Sequence, residues 1–429
     1  QASVAAPVGV SRNDKIPARR FVTAGRRFAP GPPSMARTRS KSAPRLTRDA
    51  ERLIALANGL HTSGSLTEDR FWESEIAALV EKLLDHGNDV PLDGALDHLW
   101  QSNTGAYDVL IERVEGISES VTVMQGDLAW ETLLVAAPVV AWSKYAIPSG
   151  PIAKEDAQAL RVQLQAHVAA ADTRLVLVPY LYSIDQLPRH FSELRRLAAK
   201  LGDAAVSGEI PRIDFGRMPE TAQLLSDSRF VIASVATPRG KPMFRWQEDA
   251  SGHAGRTTSL EQWIAQARPT IARMLPGCVF ESLLPDAYYV NCREADRRVR
   301  PYAVRAGVAY LESALQVEPA QLRAVIAGFG EERVDEYRVG FTVDGDSHVA
   351  HGVVWPLYGR EDEGARPGPV EDLVAELAQC GVTELKKLTG TFAPEYCEDC
   401  GAPLFANPEA EIVHAELPEE ADSPAAHFH

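Results

Sequence analysis

Cysteine is scarce in this chain: five in 429 residues, at Cys278, Cys292, Cys380, Cys397 and Cys400. Thiols so few, so scattered and odd in number exclude a disulfide framework and favour a reducing, cytoplasmic setting. Long apolar runs are missing too. The longest, Leu133 to Trp142, is broken by Pro138; it falls well short of the roughly 20 residues that cross a bilayer and reads as a buried strand. No continuous apolar core stands near the start, so no secretory signal is expected. Phosphate-cradling loops are lacking: neither G-x-x-x-x-G-K-[ST] nor G-x-G-x-x-G occurs, and Gly328-Phe329-Gly330 lacks the third glycine. H-E-x-x-H, the paired-histidine zinc motif, is absent as well.

Charge is present but unevenly placed. Residues 1–50 hold 11 Lys and Arg against Asp14 and Asp49, whereas the rest holds 33 basic and 57 acidic groups. An acidic body repels nucleic acid, so nucleic-acid contact is expected only through the basic arm. The plain reading of an acidic surface is solubility. Residues 1–45, rich in Ala, Pro, Arg and Ser without apolar periodicity, are expected to form a disordered arm. The chain starts at Gln1, and Met35 reads as a natural start, which would make residues 1–34 upstream sequence.

The remaining pattern divides into a helical segment over 46–118, α/β segments over 119–275 and 276–390, and a tail over 391–429. Thr47 can N-cap a helix with Ala50, Leu53, Ile54, Ala57 and Leu60 on one face; a second carries Phe71 to Leu84 and stops near His86-Gly87. Trp72 and Trp100 offer an aromatic stripe, for which core packing is the simpler account. Strands are expected at Val121–Met124, Leu133–Trp142, Arg174–Tyr182, Phe230–Val235, Val279–Leu284, Tyr337–Val343 and Val349–Tyr358. Helices are expected at Ala153–Ala170, Phe191–Leu201, Leu260–Leu275, Ala320–Ala327 and Val370–Ala378. The fold class is therefore α+β (mixed α/β): helical first, then layered β-α-β units. An order of strand, proline-containing loop, helix and strand recurs from Val139, Val231 and Val353, which raises an internal repeat although residue identity between the copies is poor.

Chemistry concentrates in the tail. Cys397-Glu398-Asp399-Cys400-Gly401 has the spacing of a metal knuckle, in which backbone amides point at the sulfurs and glycine removes a Cβ clash. His414 follows at finger-like spacing, but residues 418–420 are Pro-Glu-Glu, so a standard finger cannot close; His427 or His429, alternating on one face of an extended segment, must return instead. The expected ligand set is Cys397, Cys400, His414, His427 and His429, and the expected cofactor is zinc, in a structural role. A redox dithiol and unliganded cysteines remain open. His414-Ala415-Glu416 with a C-x-x-C echoes a deaminase signature, yet here the order is reversed.

Elsewhere the signals are weaker. Cys292 heads a run of Arg293, Arg297, Arg298, Arg300 and Arg305 that could favour a thiolate or bind an anion, although Glu294 and Asp296 point to a solvated, salt-bridged face. Pro238-Arg239-Gly240-Lys241-Pro242 reads first as a turn, and Asp344-Gly345-Asp346, near His348 and His351, as a tight hairpin. Ser149-Gly150-Pro151 could present amides to an anion.

From Met35 onward, through Met35–Leu60, Val231–Trp246 and the ending Cys-Glu-Asp-Cys-Gly-Ala-Pro-Leu-Phe with its histidines, the chain resembles a proteobacterial family known as a domain of unknown function. The resemblance implies a bacterial cytoplasmic protein and carries no activity. The expected function is a non-enzymatic regulatory or interaction protein with an unidentified protein partner, a structural zinc and no membrane contact. The alternatives are a metal-assisted hydrolase with an open zinc position and nucleic-acid binding through the arm.

Overall fold

The computed structural model describes residues 45–418, apart from 210–212, 220, 222–223, 249–251, 332, 344, 359–360 and 362–366. All but one residue of the basic arm, and His427 and His429, lie outside these residues. The fold is α+β.

Helices come first: α1 Arg48–Thr62, α2 Leu66–Asp85, α3 Val90–Ser102 and α4 Thr104–Glu119. Their starts follow the sequence chemistry, because Thr47, Ser65 and Asn103 accept the amides of Ala50, Glu68 and Ala106 at 3.1–3.2 Å. Leu53, Ile76, Leu92, Leu99 and Leu110 are fully buried between the helices, each contributing roughly 1.5–3 kcal/mol relative to exposure. Trp72 packs its ring on Gly59 and Trp100 meets Tyr107 edge-on at 4.9 Å, so both tryptophans serve packing.

The first sheet is built from β1 Ser120–Gln125, β2 Leu128–Trp142, β3 Gly150–Pro151, β4 Arg174–Ser183, β5 Ser226–Pro238, β6 Val279–Ser282 and β7 Asp286–Ala287, with helices α5 Lys154–His167, α6 Phe191–Ser207, α7 Arg245–Glu248 and α8 Gly252–Met274. Strand order is β1-β2-β5-β4-β3, with β6 and β7 on β2, so this sheet draws strands from both sides of residue 275. Alternate residues of β2 face opposite cores: Leu134 and Ala136 join the four-helix layer and α6, while Val135, Ala137 and Val139 join α5 and α8. Burial on both faces explains the unbroken apolar run. Pro138 costs little because it falls between the stretches paired with β7 and β6.

Next comes α9 Tyr288–Leu315, a helix the sequence did not announce, followed by β8 Leu322–Phe329, β9 Glu336–Val343, β10 His351–Pro356, α10 Pro369–Gln379, β11 Glu384–Phe392, β12 Phe405–Ala406 and β13 Ile412–Val413. The second sheet has the order β10-β9-β8-β11, with β8 and β11 parallel. Tyr288, Tyr289 and Cys292 of α9 sit in the first core, whereas Val304, Val308 and Leu311 sit in the second, so one helix serves both sheets. The helix expected over Ala320–Ala327 is instead strand β8. A short, largely apolar run interrupted by Arg323 fits either period, and here sheet neighbours on both sides decide for strand.

Strands flanking a common antiparallel neighbour run parallel, so β2-α5-β4 and β5-α8-β6 are β-α-β units split by one strand, and β10-α10-β11 is split by two. These are the three segments starting near Val139, Val231 and Val353; the first two share a sheet and the third lies in the other. Among the described residues no helix is long and apolar enough to cross a membrane.

Candidate metal centre

One face of the second sheet is covered by α9 and α10, and the opposite face by the C-terminal tail. Two glycines let the tail lie close. A Cβ on Gly352 would stand 2.2 Å from the Phe405 ring, and one on Gly340 would stand 2.8 Å from the Ala406 carbonyl. Phe405 of β12 is buried with Val349 and Ala415, while Ala406 joins Val325, Ala327 and Phe329 of β8.

Arg338 of β9 fastens the approach to this tail. Fully buried, it donates to Glu336 at 2.7 Å and, from one guanidinium nitrogen, to the carbonyls of Glu395 at 2.8 Å and Leu404 at 2.6 Å. Its guanidinium also lies over the rings of Phe329 and Tyr396 at 4.4 and 5.0 Å. Glu395 and Leu404 bracket the cysteines and are themselves bonded, Leu404 N to Glu395 O at 3.1 Å. The knuckle is therefore a loop closed at its base by a bridge between Tyr396 and Pro403.

Within that loop Cys397 N donates to Ala402 O at 2.8 Å and Gly401 N to Cys397 O at 2.9 Å, with Gly401 at φ 72°. The turn aims amides at sulfur: the N–H of Cys400, then that of Asp399, donates to the Cys397 thiol and holds it below the ordinary thiol range. Partial burial pushes the Cys400 thiol up. His414, directly after β13, brings its Nε2 to 3.2 Å from Cys400 Sγ, and one ligand atom from each of Cys397, Cys400 and His414 lies within 4.8 Å of the others. Ligands of one tetrahedral zinc stand about 3.5–3.8 Å apart, so this set fits a soft divalent ion with small adjustment. His427 and His429, the other expected ligands, lie outside the described residues.

Two residues that sequence reasoning set aside complete the surroundings. His348, discounted with His351 as a metal ligand, donates from Nε2 to the Glu416 carbonyl at 2.6 Å. Glu416 N donates to Val349 O at 2.9 Å, and Glu416 Oε1 lies 3.1 Å from His414 Nδ1. The only sequence trace of this arrangement was the His414-Ala415-Glu416 triplet. His351 is buried beside Tyr310, away from His348.

The arginine run after Cys292 is corrected by the fold. It lies on α9, where Cys292 is fully buried and its thiol is pushed well up rather than ionised. Arg293 meets Glu115 at 2.7 Å, Arg300 meets Glu361 at 2.7 Å and Arg305 pairs with Glu376, so the cations hold α9 to its neighbours. Beside it, a cavity of about 20 Å³ lined by Asp93, Glu115, Arg189, His190 and Tyr289 has room for little more than a water. Pro238 to Lys241 is a plain turn, closed by Lys241 N to Pro238 O at 3.0 Å, and Gly150 and Pro151 form β3 instead of an anion loop. Asp346 closes a turn after β9 through its amide to Val343 O at 3.0 Å; Asp344 lies outside the described residues.

A family model described as "Protein of unknown function (DUF2863)" matches residues 38–428. No curated protein and no solved structure matches the chain.

Proposed function

The chain belongs to the DUF2863 family, and from that premise we propose that its C-terminal segment is a zinc staple serving a non-enzymatic interaction or regulatory protein. Cys397, Cys400 and His414 would hold the ion, with His427 or His429 returning as the fourth ligand. A bound zinc would supply rigid crosslinking of the tail to the second sheet. The free thiols favour a reduced, cytoplasmic setting.

The observation that carries this reading is the placement of Glu416. A hydrolytic zinc needs a base beside its bound water, and Glu416 is the acidic residue that the H-x-E pattern would nominate. Its carboxylate lies on Nδ1 of His414, whereas Nε2 faces Cys400. The imidazole ring therefore stands between carboxylate and metal position, which suits orienting a ligand and not activating water. The tail's dense backbone anchoring, through Arg338, His348 and Val349, also favours a structural part.

Hydrogen exchange on the full-length protein, zinc-loaded and after chelation, tests the staple. Chelation, or Cys397→Ser, is expected to remove protection from residues 395–416 while α1 to α4 stay protected. Unchanged exchange across the tail would overturn the staple, and zinc-dependent ester or amide hydrolysis would favour the enzyme reading.

A further inference from the structure

We infer that Glu416 is the positioning residue that sets the metal affinity of the Cys397, Cys400 and His414 centre, and that His348 holds it in place; this rests on the staple reading. A histidine ligand binds a metal through one nitrogen and needs its other N–H held by an acceptor, which fixes ring orientation and raises the basicity of the ligating nitrogen. Glu416 Oε1 stands at ion-pair distance, 3.1 Å, from His414 Nδ1 but off the direction of a ring N–H, so a side-chain rotation makes it such an acceptor while Nε2 faces Cys400.

A carboxylate on an exposed side chain normally contributes little, because ordering it costs entropy and water competes. Here the backbone that carries it is tied on both sides. Its N–H donates to Val349 O at 2.9 Å and its C=O accepts from His348 Nε2 at 2.6 Å. A carbonyl can only accept, so His348 must carry its proton on Nε2 in this arrangement. Val349, in the segment leading into β10, is fully buried against Phe405 and Ala415, which pins the backbone that anchors Glu416. The side chain therefore starts from a fixed Cα two residues from the ligand, and only its own rotamers remain to be ordered. The connection between β9 and β10 thus reaches the metal position through His348 and Val349 to Glu416, and from Glu416 to the His414 ring.

The test is zinc affinity by chelator competition on the full-length protein, for wild type, Glu416→Gln, Glu416→Ala, His348→Ala and Glu398→Gln. Glutamine still accepts a hydrogen bond but lacks the charge, so Glu416→Gln is expected to weaken zinc binding by about tenfold and Glu416→Ala by up to about 100-fold. His348→Ala should fall between wild type and Glu416→Ala. Glu398→Gln removes the same charge from the knuckle without touching the ring and should leave affinity unchanged. Cobalt-substituted Glu416→Ala should keep the thiolate-to-metal charge-transfer band, because both sulfurs still bind; a merely unfolded tail would lose it. Equal affinity of Glu416→Ala and wild type would overturn the inference while the staple stands. An equal loss in Glu398→Gln would reduce Glu416 to a general field effect and overturn it too. A wild-type protein that takes up no zinc would sink the staple reading itself.

Discussion

Glu119, the last residue of α4, is a buried carboxyl that accepts the amide of Tyr289 at 3.0 Å. Burial pushes it up to about 8 from an ordinary 4.5; Glu115 and Asp286 add to the rise, and the Tyr289 amide and Arg293 oppose it. A raised carboxyl contributes its full stability below the unfolded value and loses it as pH climbs through the folded one, so this site weakens the fold between pH 4.5 and 8. Glu119→Gln should match wild type near pH 5 and exceed it at pH 8 by a few kcal/mol, with about 1.4 kcal/mol per pH unit as the ceiling. Urea unfolding of both proteins at the two pH values measures this, and an equal difference at both would refute it. Such residues were illegible in the sequence. Glu115 and Glu119 look like ordinary helix-surface acids, and Cys292, Arg293 and Arg300 look like parts of a solvated face, until α9 is seen to pack them between layers; Arg298 and Arg305 do stay exposed and salt-bridged, as the alternating charges suggested. The two knuckle cysteines were legible because their chemistry is local: spacing, turn and glycine lie within five residues.

Among elements, the tail hairpin is the most demanding fit. Phe405 is buried against a bare Gly352, and an added methyl at 2.2 Å from its ring has nowhere to go. Gly352→Ala should destabilise the protein by about 1–3 kcal/mol through overpacking and should speed protease cleavage between residues 395 and 416. Trimming the ring in Gly352→Ala/Phe405→Leu should restore part of the loss, and an unchanged melting temperature in the single variant would contradict the packing. Neither β12 nor β13, at two residues each, could be read from periodicity, and β8 was misread because a short, largely apolar run suits both a strand and a buried helix turn. Helix α9 escaped notice for a different reason. Pro301 sits inside it and its first turn opens on two tyrosines, so the usual punctuation suggested a break where the helix continues. Helix α1 was legible because Thr47 could be read as the cap that accepts the Ala50 amide, and α2 because Phe71 to Leu84 keep a helical period.

At the scale of the whole molecule, one helix spans both sheets and one short tail covers the outer face of the second. The alternation of strands and helices conveyed the α+β class, yet no period says which sheet a strand joins. Thus β6 and β7 return to β2 across a long helical excursion, and β11 inserts beside β8 in parallel. The tail presses Phe405 and Ala406 onto the sheet while Arg338, Glu416 and His348 tie its backbone. Those ties converge on a ligand set with two sulfurs and one imidazole, which is why metal, not packing alone, is the centre of the account. X-ray absorption at the zinc edge of the full-length protein, purified under reducing conditions, tests it most directly. The account predicts two sulfur ligands at about 2.3 Å and two nitrogen ligands at about 2.0 Å. A protein without zinc, or a zinc held only by oxygen and nitrogen, would contradict it.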